Sequence, residues 1–251
     1  MVNIKYLILL SILAVFVTAC VPLDPASEQH TVIVAEEDGP GTKVTATPLS
    51  DLPEEIVNLI AQNLDIVNYR YSYQQQIVGA SGNLMQEDYY EVFIKNNKVL
   101  KKYLQAVKLG GDTFYNKVFL DSDLQTAIAV CDSSTTLCED LKDKKYIQLE
   151  YADEALGITP KDLPSTVSSE TKKIGTTVID NRKNSIFEYM LDGKLVKMYI
   201  DESSGLTMRV EFYRLENEDK ILERRLNYSK LSINSVLSSE VNLPEGYTLK
   251  N

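Results

Sequence analysis

Three carboxylates at predicted strand ends come nearest to the spacing that acid–base chemistry needs. Asp180 ends one predicted strand, and Asp201 and Glu202 stand together at the end of another. Two carboxylates facing one cleft can serve as general acid and general base in hydrolysis. In turns such residues are usually solvated, and we expect that role here. The only histidine, His30, lies in a predicted tether and completes no nucleophile–histidine pair. The chain is therefore predicted not to be an enzyme.

The first twenty residues have the pattern of an export signal that ends at a cysteine. A short basic head precedes the apolar run 6–16, and small residues lead through Ala19 into Cys20. About a dozen apolar residues span only about half of a ~30 Å hydrocarbon core, which favours a cleavable signal over a membrane span. The end of the run resembles the lipobox of prokaryotic lipoproteins. This resemblance implies cleavage after Ala19 and a diacylglycerol on Cys20; an ordinary secretory signal is the alternative.

The other two cysteines, Cys131 and Cys138, enclose six residues. In an exported chain they are free to oxidise, and a disulfide across so short a loop would mainly pin a turn. The spacing is not the CxxC of a dithiol oxidoreductase, and no histidine stands nearby to complete a zinc site. We predict no metal site and no cofactor.

Composition points to one folded domain behind a tether. The 251 residues carry a formal net charge of −10, are 44% hydrophobic, and include 15 tyrosines but no tryptophan. Such an acidic chain has no electrostatic reason to bind nucleic acid, whereas its hydrophobic content suffices for one substantial core. Residues 21–49 contain four prolines and an acidic cluster, which predicts a tether with a reach of roughly 30 Å. The predicted division is 1–19 signal, 20–50 lipidated cysteine and tether, and 51–251 folded domain.

The domain is predicted to begin with a helix over 51–64. Asp51 is placed to cap it, Pro53 suits its first turn, and Glu54 completes a capping-box spacing. Apolar residues then recur at helical spacing and form one stripe: Ile56, Val57, Ile60, Ala61 and Leu64. A single stripe needs a surface to cover.

Strand patterns supply that surface. From Val67 the apolar period becomes two, and Tyr69, Tyr71 and Tyr73 share one face. Further alternating segments follow, separated by turns, of which Asp192–Gly193 is the strongest hairpin signal. We therefore predict a mainly β (α+β) fold: a curved antiparallel sheet or unclosed barrel of about ten or eleven strands. The N-terminal helix and a short helical segment within 153–167 would cover its concave face.

Three short stretches resemble the LolA and LolB-like superfamily of lipoprotein-carrier half-barrels and related surface lipoproteins. They are 175–180 (GTTVID), 199–206 (YIDESSGL) and 242–247 (NLPEGY). The resemblance implies an unclosed antiparallel barrel around an apolar cavity that is lidded by helices and holds acyl chains or other lipophilic ligands. It covers most of 51–251. A lipid anchor and a cysteine pair are departures from the carrier pattern, and a role in lipoprotein trafficking is not implied.

The leading functional hypothesis is a non-enzymatic exported lipoprotein, anchored through Cys20 on the extracytoplasmic side of a cell membrane or envelope, that binds a lipophilic ligand. The alternative is a packed interaction domain that docks a membrane or envelope protein complex. What separates them is whether the concave face leaves a void. The candidate cavity-lining residues are Ile56, Ile60, Tyr69, Tyr71, Tyr73, Phe93, Phe187, Tyr189 and Met208.

Overall fold

The computed structural model describes residues 31–34, 42–45, 48–79, 81–132, 136–217 and 219–250. The predicted signal, Cys20, His30 and most of the predicted tether lie outside these ranges. Two short strands within the predicted tether, β1 (Thr31–Val34) and β2 (Thr42–Thr45), pair antiparallel as a separate two-stranded sheet. None of the helices in the described ranges has the length and apolarity that crossing a membrane requires.

Twelve strands form one sheet that does not close on itself, with order β14-β8-β7-β6-β5-β4-β3-β13-β12-β11-β10-β9. The first six strands in the chain are β3 (Asn68–Val78), β4 (Leu84–Lys95), β5 (Lys98–Gly110), β6 (Thr113–Asp121), β7 (Thr126–Val130) and β8 (Lys145–Leu149). The others are β9 (Lys172–Ile179), β10 (Arg182–Leu191), β11 (Lys194–Asp201), β12 (Thr207–Glu216), β13 (Asp219–Ile233) and β14 (Thr248–Leu249). The predicted mainly β, unclosed architecture is confirmed.

The sheet consists of two meanders, β3–β8 and β9–β13, joined where β13 pairs with β3. All neighbours are antiparallel except β14, which pairs parallel with β8. The prediction of a wholly antiparallel sheet is wrong at this edge. After β13 the chain forms helix α3 (Ser238–Val241), which packs against β4 and β5. This C-terminal crossover carries the chain across the sheet to β14, beside β8.

The β10–β11 hairpin shows how a local signal sets the strand register. Asp192 and Gly193 both have positive φ, 49° and 76°, which is the backbone of a type I′ turn. The turn places Leu191 opposite Lys194, and the pairing continues without a shift to Asn184 opposite Asp201.

The first helix of the domain, α1, spans Glu54–Asn63, so the prediction that Asp51 caps it is wrong. Asp51 instead ends a short 3₁₀ turn, and Pro53 holds the N-cap position without a side-chain hydrogen bond. The residue before a proline is driven out of the helical region, and Leu52 is extended with ψ 151°. The predicted stripe is also partly wrong, because Ala61 and Leu64 are exposed. The buried positions are Ile56, Leu59, Ile60 and Asn63.

The predicted helical segment within 153–167 is mostly irregular. It contains only the end of a one-turn helix, α2 (Tyr151–Glu154), and a 3₁₀ turn at Leu163–Thr166. Between them, Asp162 accepts hydrogen bonds from the backbone N–H and the hydroxyl of Thr159, which stabilises a turn rather than a longer helix.

Candidate functional site

Eight of the nine predicted cavity-lining residues belong to one apolar cluster between α1 and the sheet, here called the α1 cluster. Seven are buried members of it, and Tyr73 packs against it. Ile56 is 0% exposed, and Phe187 and Met208 are each 1% exposed. The α1 side of the concave face is therefore filled by side chains.

Phe93, the ninth, does not join them. Its neighbours in β4, Val92 and Ile94, point into the α1 cluster, and side chains alternate along a strand. Phe93 packs instead against a small cluster on the convex face, together with Val236 and Val241 from the C-terminal crossover.

A second concave-face cluster, here called the disulfide cluster, lies over β5–β8. Its buried members include Tyr115, Val118, Cys131 and Cys138, and Tyr151 of α2 packs against it. The sulfur atoms of Cys131 and Cys138 are bonded, with their Cα atoms 5.3 Å apart. The bond fixes the segment after β7 above the sheet.

Seven tyrosines form a continuous row across five strands of the concave face. In order of ring contact they are Tyr69, Tyr71, Tyr228, Tyr73, Tyr90, Tyr103 and Tyr115. Successive ring centroids lie between 4.8 and 6.1 Å apart, within the range of favourable aromatic pairs. The pairing register produces the row, since Tyr228 is opposite Tyr73, Tyr73 is opposite Tyr90, and Tyr90 is opposite Tyr103.

The middle of this row bridges the two clusters. Tyr73 and Tyr90 pack against the α1 cluster and Tyr103 against the disulfide cluster. All three are only half-buried, whereas Tyr71 and Tyr228 are 4% and 2% exposed. We call Tyr73, Tyr90 and Tyr103 the tyrosine seam. It offers partly accessible aromatic rings on the concave face.

A buried ion pair lies beside the seam and fastens α2 to the sheet. The Lys101 ammonium is 2.9 Å from a Glu154 carboxylate oxygen, and both residues are 8% exposed. The hydroxyls of Tyr115 and Tyr103 donate to the same carboxylate at 2.8 and 3.3 Å. Lys101 also lies over the rings of Tyr90 and Tyr103, at 5.3 and 5.4 Å. A charge so enclosed needs all these partners.

Burial makes the row resistant to ionisation. It raises the pKa of Tyr71 and Tyr228 well above 10.0, the ordinary value for tyrosine, and neighbouring tyrosines add to the shift. Burial likewise raises the pKa of Tyr69 and Tyr90. Beside the seam, burial followed by repulsion from Glu87 raises the pKa of Asp88 above 3.8. Tyr69, Tyr71, Tyr90 and Tyr228 are therefore neutral phenols near neutral pH.

The three candidate carboxylates have different surroundings. Asp180 is exposed and Glu202 partly exposed, but Asp201 is 1% exposed, so the prediction that all three are solvated is wrong. Asp201 accepts hydrogen bonds from Arg182, Ser203 and Ser204 at 2.6 to 2.9 Å. These bonds shape the β11–β12 turn. Asp180, Asp201 and Glu202 nevertheless line one groove together with Arg182 and Lys183.

The β11–β12 turn packs against α1, which accounts for one of the short motifs. Asn63 of α1 donates to the carbonyl of Gly205 at 3.1 Å. Gly205 has φ +69°, and a Cβ there would lie 1.9 Å from the carbonyl oxygen of Leu59. Only glycine both adopts this positive φ without strain and leaves room for the Leu59 carbonyl oxygen.

The Lys101–Glu154 pair was not predicted, although the sequence contains a signal for it. Lys101 shares the concave face of β5 with Val99 and Tyr103, so a lysine there interrupts an apolar series. Such a lysine needs a buried partner. Its partner, 53 residues away in α2, follows only from tertiary structure.

Another enclosed carboxylate lies on the convex face. Glu211 is 3% exposed and accepts hydrogen bonds from Tyr199 and Tyr213, both at 2.7 Å. Burial raises its pKa, but these bonds and the charges of Arg225 and Arg209 outweigh burial, so the pKa lies below 4.5. Among the described residues no group of three or more His, Cys, Asp or Glu side chains is arranged to hold a metal ion.

Comparison with known proteins gives likenesses of structure only. No protein-family model matches the chain, and no curated protein matches it in sequence. LprF from Mycobacterium bovis is 8% identical, with 81% of this chain and 99% of LprF covered and a TM-score of 0.46. The Mycobacterium tuberculosis lipoprotein LppX is 13% identical, with 75% and 98% covered and a TM-score of 0.40.

MucB, a structure also solved in complex with MucA, is 10% identical, with 76% of this chain covered and a TM-score of 0.44. The chain spans only 62% of that MucB chain. A LolA superfamily protein from Nitrosomonas europaea is 11% identical, with 74% and 96% covered and a TM-score of 0.30. These neighbours include the group that the three short motifs resemble. All four TM-scores are below 0.5, so the unclosed sheet described above rests on this chain's own strand order.

Proposed function

We propose that this chain is an exported, non-enzymatic binding protein that is anchored in a membrane through a lipid on Cys20. Its lipophilic ligand, an acyl chain or similar apolar group, lies against the tyrosine seam. The tether over residues 20–50 would let the domain reach ligands near the membrane surface.

The half-burial of the seam is the observation that carries this proposal. Aromatic rings that remain accessible between two buried clusters provide apolar contact area for a ligand that covers them. The ligand would run along the seam rather than enter a closed cavity, because Phe187, Met208 and Ile56 occupy the space beneath α1. Lys101 and Glu154, at one end of the seam, neutralise each other, so that end favours an uncharged ligand.

A packed interaction domain is the second candidate. The filled space beneath α1 favours this candidate. Phe187 and Met208 are each 1% exposed, so their side chains occupy the place where a barrel cavity would hold a ligand. In that case the seam would be one part of a surface that contacts a protein of the envelope.

Two adjacent tyrosines make a matched test. Tyr90 lies in the seam, whereas Tyr89 is also half-buried but points to the convex face. The purified chain should raise the fluorescence of an apolar probe, and Tyr90→Ser should weaken probe binding about tenfold through lost apolar area. Tyr89→Ser should leave binding unchanged. Equal binding by both variants would contradict a site on the seam.

A further inference from the structure

A groove of about 410 Å³ lies on the convex face, beside α3 and away from the tyrosine seam. Arg70 and Ser72 of β3 and Phe93 of β4 line it, and Lys230 of β13 lies on its other side. The strand register explains this arrangement. Ser72 is opposite Ser229 and Arg70 is opposite Ser232, and the bulge between these pairs carries Lys230, which lines the same groove as Arg70.

The charges in the groove do not cancel, although the chain as a whole is acidic. Three cations and two carboxylates line the groove. Glu91 pairs with Lys102 at 3.5 Å, and Glu240 accepts a hydrogen bond from the Leu237 backbone N–H at 2.7 Å. Neither Arg70 nor Lys230 forms an ion pair with any carboxylate in the described part of the chain. Arg70 and Lys230 therefore line the groove without an ion-pair partner among the described residues, and with Glu240 the lining keeps one net positive charge.

The Arg70 side chain and the Lys230 backbone are each held by a described contact. The Arg70 guanidinium lies 6.0 Å from the centroid of the Phe93 ring, and such stacking limits the side chain's freedom. Lys230 has φ +55°, an unusual conformation for a residue with a long side chain. Its backbone N–H donates to Asp180 at 2.9 Å, which holds the bulge. Backbone strain of this kind concentrates at ligand-binding sites.

We propose that this groove binds a phosphomonoester, with Arg70 and Lys230 as its two cationic contacts. A phosphomonoester carries about 1.5 to 2 negative charges near neutral pH, so one such group can neutralise both cations, whereas one carboxylate cannot. Arginine pairs with phosphate oxygens through two parallel hydrogen bonds. The phosphate can belong to a small soluble molecule or to a lipid headgroup such as phosphatidic acid.

The test measures binding of inorganic phosphate to the full chain by calorimetry, and binding of the chain to phosphatidylcholine vesicles with and without phosphatidic acid. Arg70→Gln should lower the affinity about tenfold, the effect of losing one charge-assisted contact. Lys230→Asn should do the same, and its fold is secure because asparagine tolerates positive φ.

Lys108→Gln is the matched control. Lys108 lies over the Phe114 ring at 5.9 Å, on β5 and outside the groove, and its loss removes the same charge. Loss of phosphate binding in the two groove variants alone identifies a soluble ligand. Loss confined to phosphatidic acid vesicles identifies a lipid headgroup. Equal loss in Lys108→Gln, or no phosphate-dependent binding in either format, would overturn the proposal.

Discussion

The two clusters of the concave face are built in different ways. The α1 cluster is large and almost wholly apolar, and a ten-residue helix covers it. The disulfide cluster is smaller, and its cover is held by one covalent bond and by the Lys101–Glu154 pair. A long apolar cover is held mainly by the apolar area it buries, whereas a short irregular one depends more on specific bonds. The tyrosine seam lies between these two clusters.

Alkali should have the largest effect, and three of the tyrosines responsible lie in the α1 cluster. The pKa of Tyr69, Tyr71 and Tyr228 is raised in the folded chain. The unfolded chain therefore releases these protons first, and stability present below pH 10 is lost as pH rises. Each tyrosine lowers the free energy of unfolding by about 1.4 kcal/mol per pH unit, and the three together by about 4 kcal/mol. The part of the tyrosine absorbance change at 295 nm that comes from these three residues should coincide with the loss of circular dichroism; complete tyrosine ionisation before unfolding would contradict this.

Truncation of Phe187 should break the α1 cluster specifically. Phe187→Ala removes a ring that is 1% exposed and should lower the free energy of unfolding by about 4 kcal/mol in urea. Phe93→Ala is the matched variant on the convex face, where the ring is only half-buried, and should cost about half as much. Similar losses would mean that the space beneath α1 is not packed.

Two adjacent lysines of β5 test how much the buried Lys101–Glu154 ion pair stabilises the disulfide cluster. Lys101 and Lys102 each pair with a glutamate, at 2.9 and 3.5 Å, but only the Lys101–Glu154 pair is buried. Lys101→Met leaves a buried carboxylate without its cation and should cost about 3 kcal/mol. Lys102→Met should cost about 0.5 kcal/mol or less. Equal costs in urea unfolding would remove the distinction between the two pairs.

Reduction of the Cys131–Cys138 bond should have the smallest effect and leave the α1 cluster intact. A loop this short contributes about 2 kcal/mol. Amide hydrogen exchange should accelerate over residues 136–154, which cover the disulfide cluster, and stay unchanged in α1. Faster exchange in α1 as well would show that the clusters unfold as one unit.

Local patterns predicted the strands well, because alternation and turn residues act within a few positions. Asp192 and Gly193 fixed one hairpin, and the tyrosines of β3 marked one concave face. What failed depends on distant contacts. Asp201 is buried because Arg182 and the turn serines enclose it, and Glu154 finds Lys101 across 53 residues. The start of α1 was wrong because Pro53 overrides the capping spacing of Asp51 and Glu54.

The most direct measurement of the central claim is native mass spectrometry of the chain, purified gently from a lipid-containing host and followed by organic extraction. Wild type and Tyr89→Ser should each carry a lipid at near-stoichiometric amount, and Tyr90→Ser should lose it. A bare mass for the wild type, or a lipid that Tyr90→Ser retains in full, would contradict ligand binding at the seam and favour the packed interaction domain.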